Sequence, residues 1–332
     1  MKAAVFEAFG EPSEALRVRE VPDPKPGPGQ VRVRMILSPI NPSDLLVVQG
    51  RYGVLPTLPS TPGFEGVGIV DEVGPGLLGR FVKGKRVVVI NSQGGNWAEL
   101  AVIPARLARP VPDDIPDEQA ATFFVNPATA LGIVRHVLAV PKGDWLLQSA
   151  AGSTLGRMII LLGRHDGFKT LNIVRRREAV DELKSLGGDA VISSSAGAID
   201  EQVRRITGGE GVRYAIDPVG GETGTGVFRS LAERGRLLLY GTLSDQPIQV
   251  EPRLVISGRR VIEGFYLGHW MLDRSIPSNL LLFRQIAALI RQGVLRSKIG
   301  QTFPLDDIKS ATEQAGMIGR QGKVLLRLNQ RT

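Results

Sequence analysis

Apolar and polar positions change their rhythm along the chain. Lys2–Phe6 is a short apolar run, and Val31, Arg32, Val33, Arg34 and Met35 alternate at a period of two, as a half-buried strand does. Between them, PDPKPGPG over 22–29 is too rich in Pro and Gly for a regular element. Eight residues between two strand signals predict a surface loop inside one domain. Strand-like runs follow at 67–73 and 86–90 between Gly-rich turns, with little helical periodicity before residue 120. The first third therefore predicts a turn-rich β domain.

Over Asp117–Leu138 the texture becomes Ala-rich and helical, with an expected interruption at Pro127. Strands at Asp144–Gln148, Thr170–Val174, 189–192, Tyr214–Ile216 and Arg236–Tyr240 then alternate with helices at Thr154–Leu162, 177–186, 199–206 and 223–232. Strands separated by helical stretches of about ten residues predict an α/β architecture with a doubly wound parallel sheet. A late strand at Val261–Phe265, a helix over 280–292 and short β signals over 299–328 complete the chain. The α/β unit is thus inserted in, or followed by, more of the first domain.

Composition narrows the chemistry. The 332 residues are 42% hydrophobic and 22% charged, ordinary for a globular chain of about two domains. There is no cysteine, which removes disulfides, thiolate nucleophiles and cysteine-containing metal sites. His136, His165 and His269 are the only histidines, and no two lie four residues apart. Forty-one Lys and Arg against 33 Asp and Glu give +8, which favours anionic partners: nucleic acid, a membrane surface or phosphorylated small molecules. No stretch approaches the roughly 18 apolar residues of a membrane span, and the N-terminus lacks the pattern of a secretory signal or transit peptide. A cytoplasmic protein is expected.

The strand at Asp144–Gln148 runs into Ser149, Ala150, Ala151, Gly152, Ser153, Thr154, Leu155 and Gly156, then into a helix. Strand, small-residue turn and helix N-terminus present backbone N–H groups and a positive dipole end to a pyrophosphate. Laid over G-x-G-x-x-G, only the third glycine survives, as Gly156; Ala151 and Ser153 stand at the other two. An ordinary tight turn would use the same residues. The second strand of the run opens onto Arg175, Arg176 and Arg177, where an NAD-binding unit carries an acid for the ribose hydroxyls. Guanidinium groups there suit the 2′-phosphate of NADPH.

Asn41-Pro42-Ser43-Asp44, Gly50-Arg51-Tyr52-Gly53, Pro62-Gly63-Phe64-Glu65-Gly66, Asn126-Pro127-Ala128-Thr129 and Gly264-Phe265-Tyr266-Leu267-Gly268-His269-Trp270 together resemble the medium-chain dehydrogenase/reductase superfamily. Within it the chain resembles the zinc-independent branch of mitochondrial-type trans-2-enoyl thioester reductases and quinone oxidoreductases. The resemblance implies a GroES-like β-rich catalytic domain over 1–120, a Rossmann NADPH-binding domain over 121–268, and a return to the catalytic domain over 269–332. It implies an active site in the cleft between them and a homodimer. Zinc-dependent members carry Cys and His where this chain has the Asn41–Ser43 segment and Phe64, so no zinc is expected.

Site residues follow from the same resemblance. Tyr52 matches the tyrosine that assists enolate protonation in the enoyl reductases; read alone, a tyrosine there is more often a packing residue with its hydroxyl at the surface. Asn41 and Trp270 are placed at the substrate pocket. Asn126 and Thr129 match positions that hold the nicotinamide ribose and amide, although Asn126 could simply cap a helix beside Pro127. Gly152 to Gly156 and Arg175 to Arg177 are the phosphate contacts. Tyr240, Gly241, Thr242 and Leu243 would pass under the cofactor, and Phe265, Tyr266, Leu267 and Gly268 would meet its carboxamide. Lys323 matches a cofactor-phosphate lysine. The expected activity is NADPH-dependent reduction of the C=C bond of an enoyl thioester, on coenzyme A or acyl carrier protein. An NADPH:quinone oxidoreductase and a non-catalytic NADPH-binding protein are the alternatives. No basic stretch is interleaved with aromatics, so a nucleic-acid partner is not expected, nor is a membrane partner.

Overall fold

The computed structural model describes residues 1–329, in two compact units. Unit 1 comprises Met1–Asn126, Phe283–Arg291 and the chain from Arg296 on; unit 2 comprises Pro127–Leu282 and Gln292–Leu295.

Unit 1 begins with β1 (Lys2–Val5), β2 (Arg17–Glu20), β3 (Gln30–Pro39), β4 (Glu65–Val73), β5 (Arg86–Ile90), β6 (Leu100–Pro104) and β7 (Arg109–Pro110). Unit 2 supplies β8 (Trp145–Gln148), β9 (Lys169–Val174), β10 (Ala190–Ser193), β11 (Val212–Asp217), β12 (Leu231–Leu239) and β13 (Val261–Gly264). The tail returns to unit 1 as β14 (Ile299–Pro304) and β15 (Lys323–Arg327). The α/β unit is therefore an insertion.

β3 is the spine of unit 1. Val31, Val33 and Met35 are buried while Arg32 and Arg34 stay half-buried, the alternation seen in the sequence. Its partners are β4, β6 and β15, in a seven-stranded sheet ordered β14-β15-β3-β4-β5-β7 with β6 also on β3. Trp97, Phe6, Leu16 and Ile103 fill the core beneath. Burying each aliphatic or aromatic side chain is worth about 1.5–3 kcal/mol, which is what holds so irregular a chain together.

Unit 2 has a six-stranded parallel sheet, ordered β10-β9-β8-β11-β12-β13. Thr170 to Val174 of β9 are all buried, because helices cover both faces of a parallel sheet. The strand order reverses between β8 and β11, and loops outside the carboxyl ends of strands at such a switch point are where ligands bind.

Three local expectations are corrected. The segment after β3 is a helix, Pro42–Val48, begun by proline in its first turn and by the Asp44 carboxylate, which accepts from the Asn41 N–H at 2.7 Å. The helical stretch does break, between Ala121 and Val125, but Pro127 lies beyond the break rather than making it. It is the third residue of Val125–Leu131, where its absent N–H would have had no intrahelical partner. Residues 269–282 cluster with unit 2 rather than with the C-terminal return, since Trp270 packs on Phe265 and His136.

Gly156 shows why one glycine of the fingerprint is enough to keep. A Cβ there would lie 2.5 Å from the Ala151 carbonyl oxygen and 2.6 Å from its Cα. Those are backbone atoms that cannot rotate away. Gly156→Val is expected to unseat the helix from β8 and lower the urea midpoint by the equivalent of about 1–3 kcal/mol or more. An unchanged midpoint would show that the turn yields freely.

Candidate active site

In unit 2 each of the six parallel strands delivers a loop at its carboxyl end. The turn after β8 carries Ala150 at φ 49° and the exposed Gly152, and Ser153 caps the helix Thr154–Asp166 by accepting from the Gly156 N–H at 3.1 Å. The side chain of Arg157 donates to the Gly152 carbonyl at 3.1 Å and pairs with Glu182 at 2.8 Å. After β9 come Arg175, Arg176 and Arg177, all exposed, with the Arg175 carbonyl accepting from Ser193 at 3.0 Å. Asp217 closes β11: it accepts from Val219 and Gly220 N–H groups at 3.2 and 2.7 Å and from the Ser149 hydroxyl. Burial raises its pKa against those bonds.

Tyr240, Gly241, Thr242 and Leu243 leave β12 beside Pro218, whose carbonyl accepts from Leu243 N–H at 2.9 Å. Burial pushes the Tyr240 phenol well above its ordinary pKa, so it is a neutral donor at physiological pH. Phe265 leaves β13, donating its N–H to the Leu239 carbonyl at 2.8 Å, and Tyr266, Leu267 and Gly268 open the helix that bears Trp270. The sheet thus brings Gly152 to Gly156, Arg175 to Arg177, Tyr240 to Leu243 and Phe265 to Gly268 to one end.

The helix Val125–Leu131 continues as a π-helix over Gly132–Val137. A Cβ on Gly132 would lie 3.0 Å from Phe265 Cζ and 3.3 Å from Trp270 Cη2, so glycine admits both rings. Trp270 also lies 5.6 Å from His136, with the Arg274 guanidinium 4.4 Å over its ring. Burial and the nearby Arg274 and Arg135 cations lower the His136 pKa. This π-helical segment was not visible in the sequence. Thr129 is half-buried one turn beyond Asn126, whose side-chain nitrogen Nδ2 is buried without a hydrogen-bond partner.

Unit 1 holds a buried polar cluster assembled from four distant segments. Glu65, at the start of β4, accepts from the backbone N–H groups of Phe124 at 3.1 Å and Val125 at 2.9 Å, and from Asn41 Nδ2 at 3.0 Å. Asn41 Oδ1 accepts from Lys323 Nζ. Asp44 accepts from the Asn41 and Phe64 N–H groups at 2.7 and 3.1 Å. Glu65 and Asp44 are 0% exposed, Asn41 and Lys323 2%. Lys323 is buried within unit 1 with its ammonium donating to Asn41 Oδ1, and the Asn41 amide bridges Lys323 and Glu65. Glu65 and Asp44 went unassigned in the sequence although they stand inside the quoted motifs.

Burial raises Glu65 and pushes Asp44 up to about 7, while it pulls Lys323 down to about 8. For Asp44 the folded state binds the proton more tightly than the unfolded chain, so its cost to stability is absent near pH 4 and grows as pH rises to about 7. Lys323 contributes its change only above about pH 8. Wild type is therefore expected to lose stability relative to Asp44→Asn between about pH 4.5 and 7.5, read from paired urea midpoints. A constant difference over that range would contradict the shift.

Tyr52 follows the helix Pro42–Val48 and is half-buried, its ring 5.4 Å from that of Phe64. A cavity in unit 1 has a mixed wall, with Val54, Leu55 and Phe64 beside the polar Asp44, Thr61 and Gln93, next to the Tyr52–Phe64 pair.

A model described as the alcohol dehydrogenase GroES-like domain matches residues 27–113, and one described as a zinc-binding dehydrogenase matches 154–282. Over 317 residues the chain is 33% identical to the mitochondrial enoyl-[acyl-carrier-protein] reductase of Homo sapiens, spanning 94% of this chain and 85% of that protein. The chain belongs to the medium-chain dehydrogenase/reductase superfamily. Among solved structures of this superfamily, the Escherichia coli quinone oxidoreductase complexed with NADPH superposes with a TM-score of 0.91 at 26% identity, over 98% of this chain and all of that one. A 2-haloacrylate reductase superposes at 0.85 with 28% identity, over 99% and 100%. These neighbours place the chain in the enoyl reductase and quinone oxidoreductase-like branch. The second model's description names zinc, and the residues here do not fit it: there is no cysteine, Phe64 precedes Glu65, and among the described residues no three His, Asp or Glu side chains converge to hold a metal.

Proposed function

We propose that this protein is an NADPH-dependent, zinc-independent reductase of the C=C bond of α,β-unsaturated carbonyl compounds, with trans-2-enoyl thioesters as its substrates. The similarity to enoyl-[acyl-carrier-protein] reductase over nearly the whole chain carries this reading. Exposed Gly152 and Ser153 at a helix N-terminus and the acid-free Arg175 to Arg177 turn suit the pyrophosphate and 2′-phosphate of NADPH. The orphaned Asn126 Nδ2 and the half-buried Thr129 suit its ribose and amide. NADPH, when bound, supplies a hydride to the β-carbon.

The rest falls to the chain. Charge that develops on the thioester oxygen needs a hydrogen-bond donor and the α-carbon needs a proton; the Tyr52 hydroxyl is assigned to that donation. Trp270 flanks the acyl chain, and Glu65 fixes the N-terminus of the helix that carries Asn126 and Thr129. The E. coli neighbour favours a second reading, an NADPH:quinone oxidoreductase. NADPH consumption measured with crotonyl-CoA and with 1,4-benzoquinone separates the two: turnover of the enoyl thioester supports the first, quinone turnover alone the second. A homodimer and a cytoplasmic location complete the proposal. Among the described residues no helix is long and apolar enough to cross a membrane.

A further inference from the structure

The turn between β4 and β5 exposes what a turn ordinarily hides. Leu77, Leu78 and Phe81 are 73%, 62% and 70% exposed within five residues. Single exposed apolar residues are unremarkable, but three large ones on one turn form a patch. The same turn carries the exposed cations Arg80, Lys83 and Lys85. Two neighbouring loops add more. Gly29 N–H donates to Pro75 O at 2.7 Å, which brings in the Pro-rich loop with exposed Lys25, and Ala105 N–H donates to Gly29 O at 2.9 Å, which brings in exposed Arg106. None of these five cations makes an ion pair among the described residues, whereas the nearby acids are engaged. Asp71 and Glu72 pair with Arg32, and Asp23 pairs with the N-terminal amine.

We propose that this end of the unit 1 sheet, with Leu77, Leu78 and Phe81 at its centre and Lys25, Arg80, Lys83, Lys85 and Arg106 around them, docks on the surface of an anionic phospholipid bilayer. Apolar side chains beside cations fit a headgroup boundary, where the rings and aliphatic chains leave water while the cations meet phosphates. The absence of a spanning segment, from which no membrane partner was expected, does not bear on such a peripheral contact. An acidic carrier protein would also meet cations. However, β4 runs from Glu65 to Val73 and separates this turn from the Glu65 cluster by roughly 26 Å, too far from the Tyr52–Phe64 region for a surface whose task is to hand over substrate. The contact also gives part of the +8 a partner.

The test is sedimentation of the full chain with vesicles of phosphatidylcholine alone or with about 30% phosphatidylglycerol, at about 0.1 M salt. Wild type is expected to pellet with the anionic vesicles only and to be released at about 0.5 M salt. Leu77→Ser/Leu78→Ser/Phe81→Ser and Arg80→Glu/Lys83→Glu/Lys85→Glu are each expected to weaken binding at least about tenfold. Their thermal melts should match wild type, and the milder Leu78→Ala/Phe81→Ala replaces the triple variant if it does not fold. Failure to pellet with anionic vesicles overturns the proposal. So does full binding by the apolar variant, or binding of the same residues to polyglutamate in preference to vesicles, which would mark a protein-docking surface.

Discussion

Replacing Lys323 by Met is expected to destabilise unit 1 by about 3–5 kcal/mol, because the change leaves the buried Glu65 and Asp44 carboxylates without their cation. Met fills nearly the same volume, so packing loss contributes little. What is lost is the charge that offsets two desolvated carboxylates and the donor to Asn41 Oδ1. Glu65→Gln should cost less, about 1–3 kcal/mol, since its carbonyl oxygen can still accept from Phe124 and Val125 while its NH₂ faces Asn41 Nδ2, donor against donor. The double variant should then cost clearly less than the sum, as residues of one network couple. Urea unfolding of the three variants checks this. A loss below about 1 kcal/mol for Lys323→Met would mean that the cluster is held by its neutral hydrogen bonds.

The second large effect concerns cofactor choice. Charge-assisted hydrogen bonds are worth about 1.5–3 kcal/mol each, so Arg175→Glu/Arg177→Glu is expected to weaken NADPH binding by about a hundredfold or more. NADH lacks the 2′-phosphate, and its affinity should change by less than about threefold. Nucleotide fluorescence titrations measure both. Equal loss for the two cofactors would remove the arginines from the 2′-phosphate and assign them to the fold or to general steering.

Much of this was legible in local pattern. The period-two alternation of Val31 to Met35 became the spine strand β3, and the strand–helix alternation after Asp144 became the parallel sheet. Position in a strand, turn, helix sequence brought Gly152 to Gly156 and Arg175 to Arg177 to one sheet end, because every parallel strand delivers its following loop to the same edge. The failures share a different cause. The joining of Lys323 to Asn41 in one buried cluster was not legible, since nothing within its own segment shows that β15 pairs with β3 and carries it to Asn41, 282 residues away. The Asn41–Glu65 bond was hidden for the same reason, its partners lying 24 residues apart. Pro127 was read as the interruption, which falls at 122–124 instead, and its place in the first turn of the next helix makes it harmless. The rings that Gly132 of the π-helix admits come from residues 265 and 270, which no local window contains.

The proposed reaction rests on Tyr52, and Tyr52→Phe tests it most directly. A positioned acid or base contributes about 10²–10⁴-fold, so the variant's kcat for crotonyl-CoA reduction should fall by that factor while NADPH affinity and the melting temperature stay as in wild type. Wild-type NADPH oxidation should saturate with crotonyl-CoA. Turnover of 1,4-benzoquinone with none of the enoyl thioester, or full enoyl reduction by Tyr52→Phe, would contradict the account.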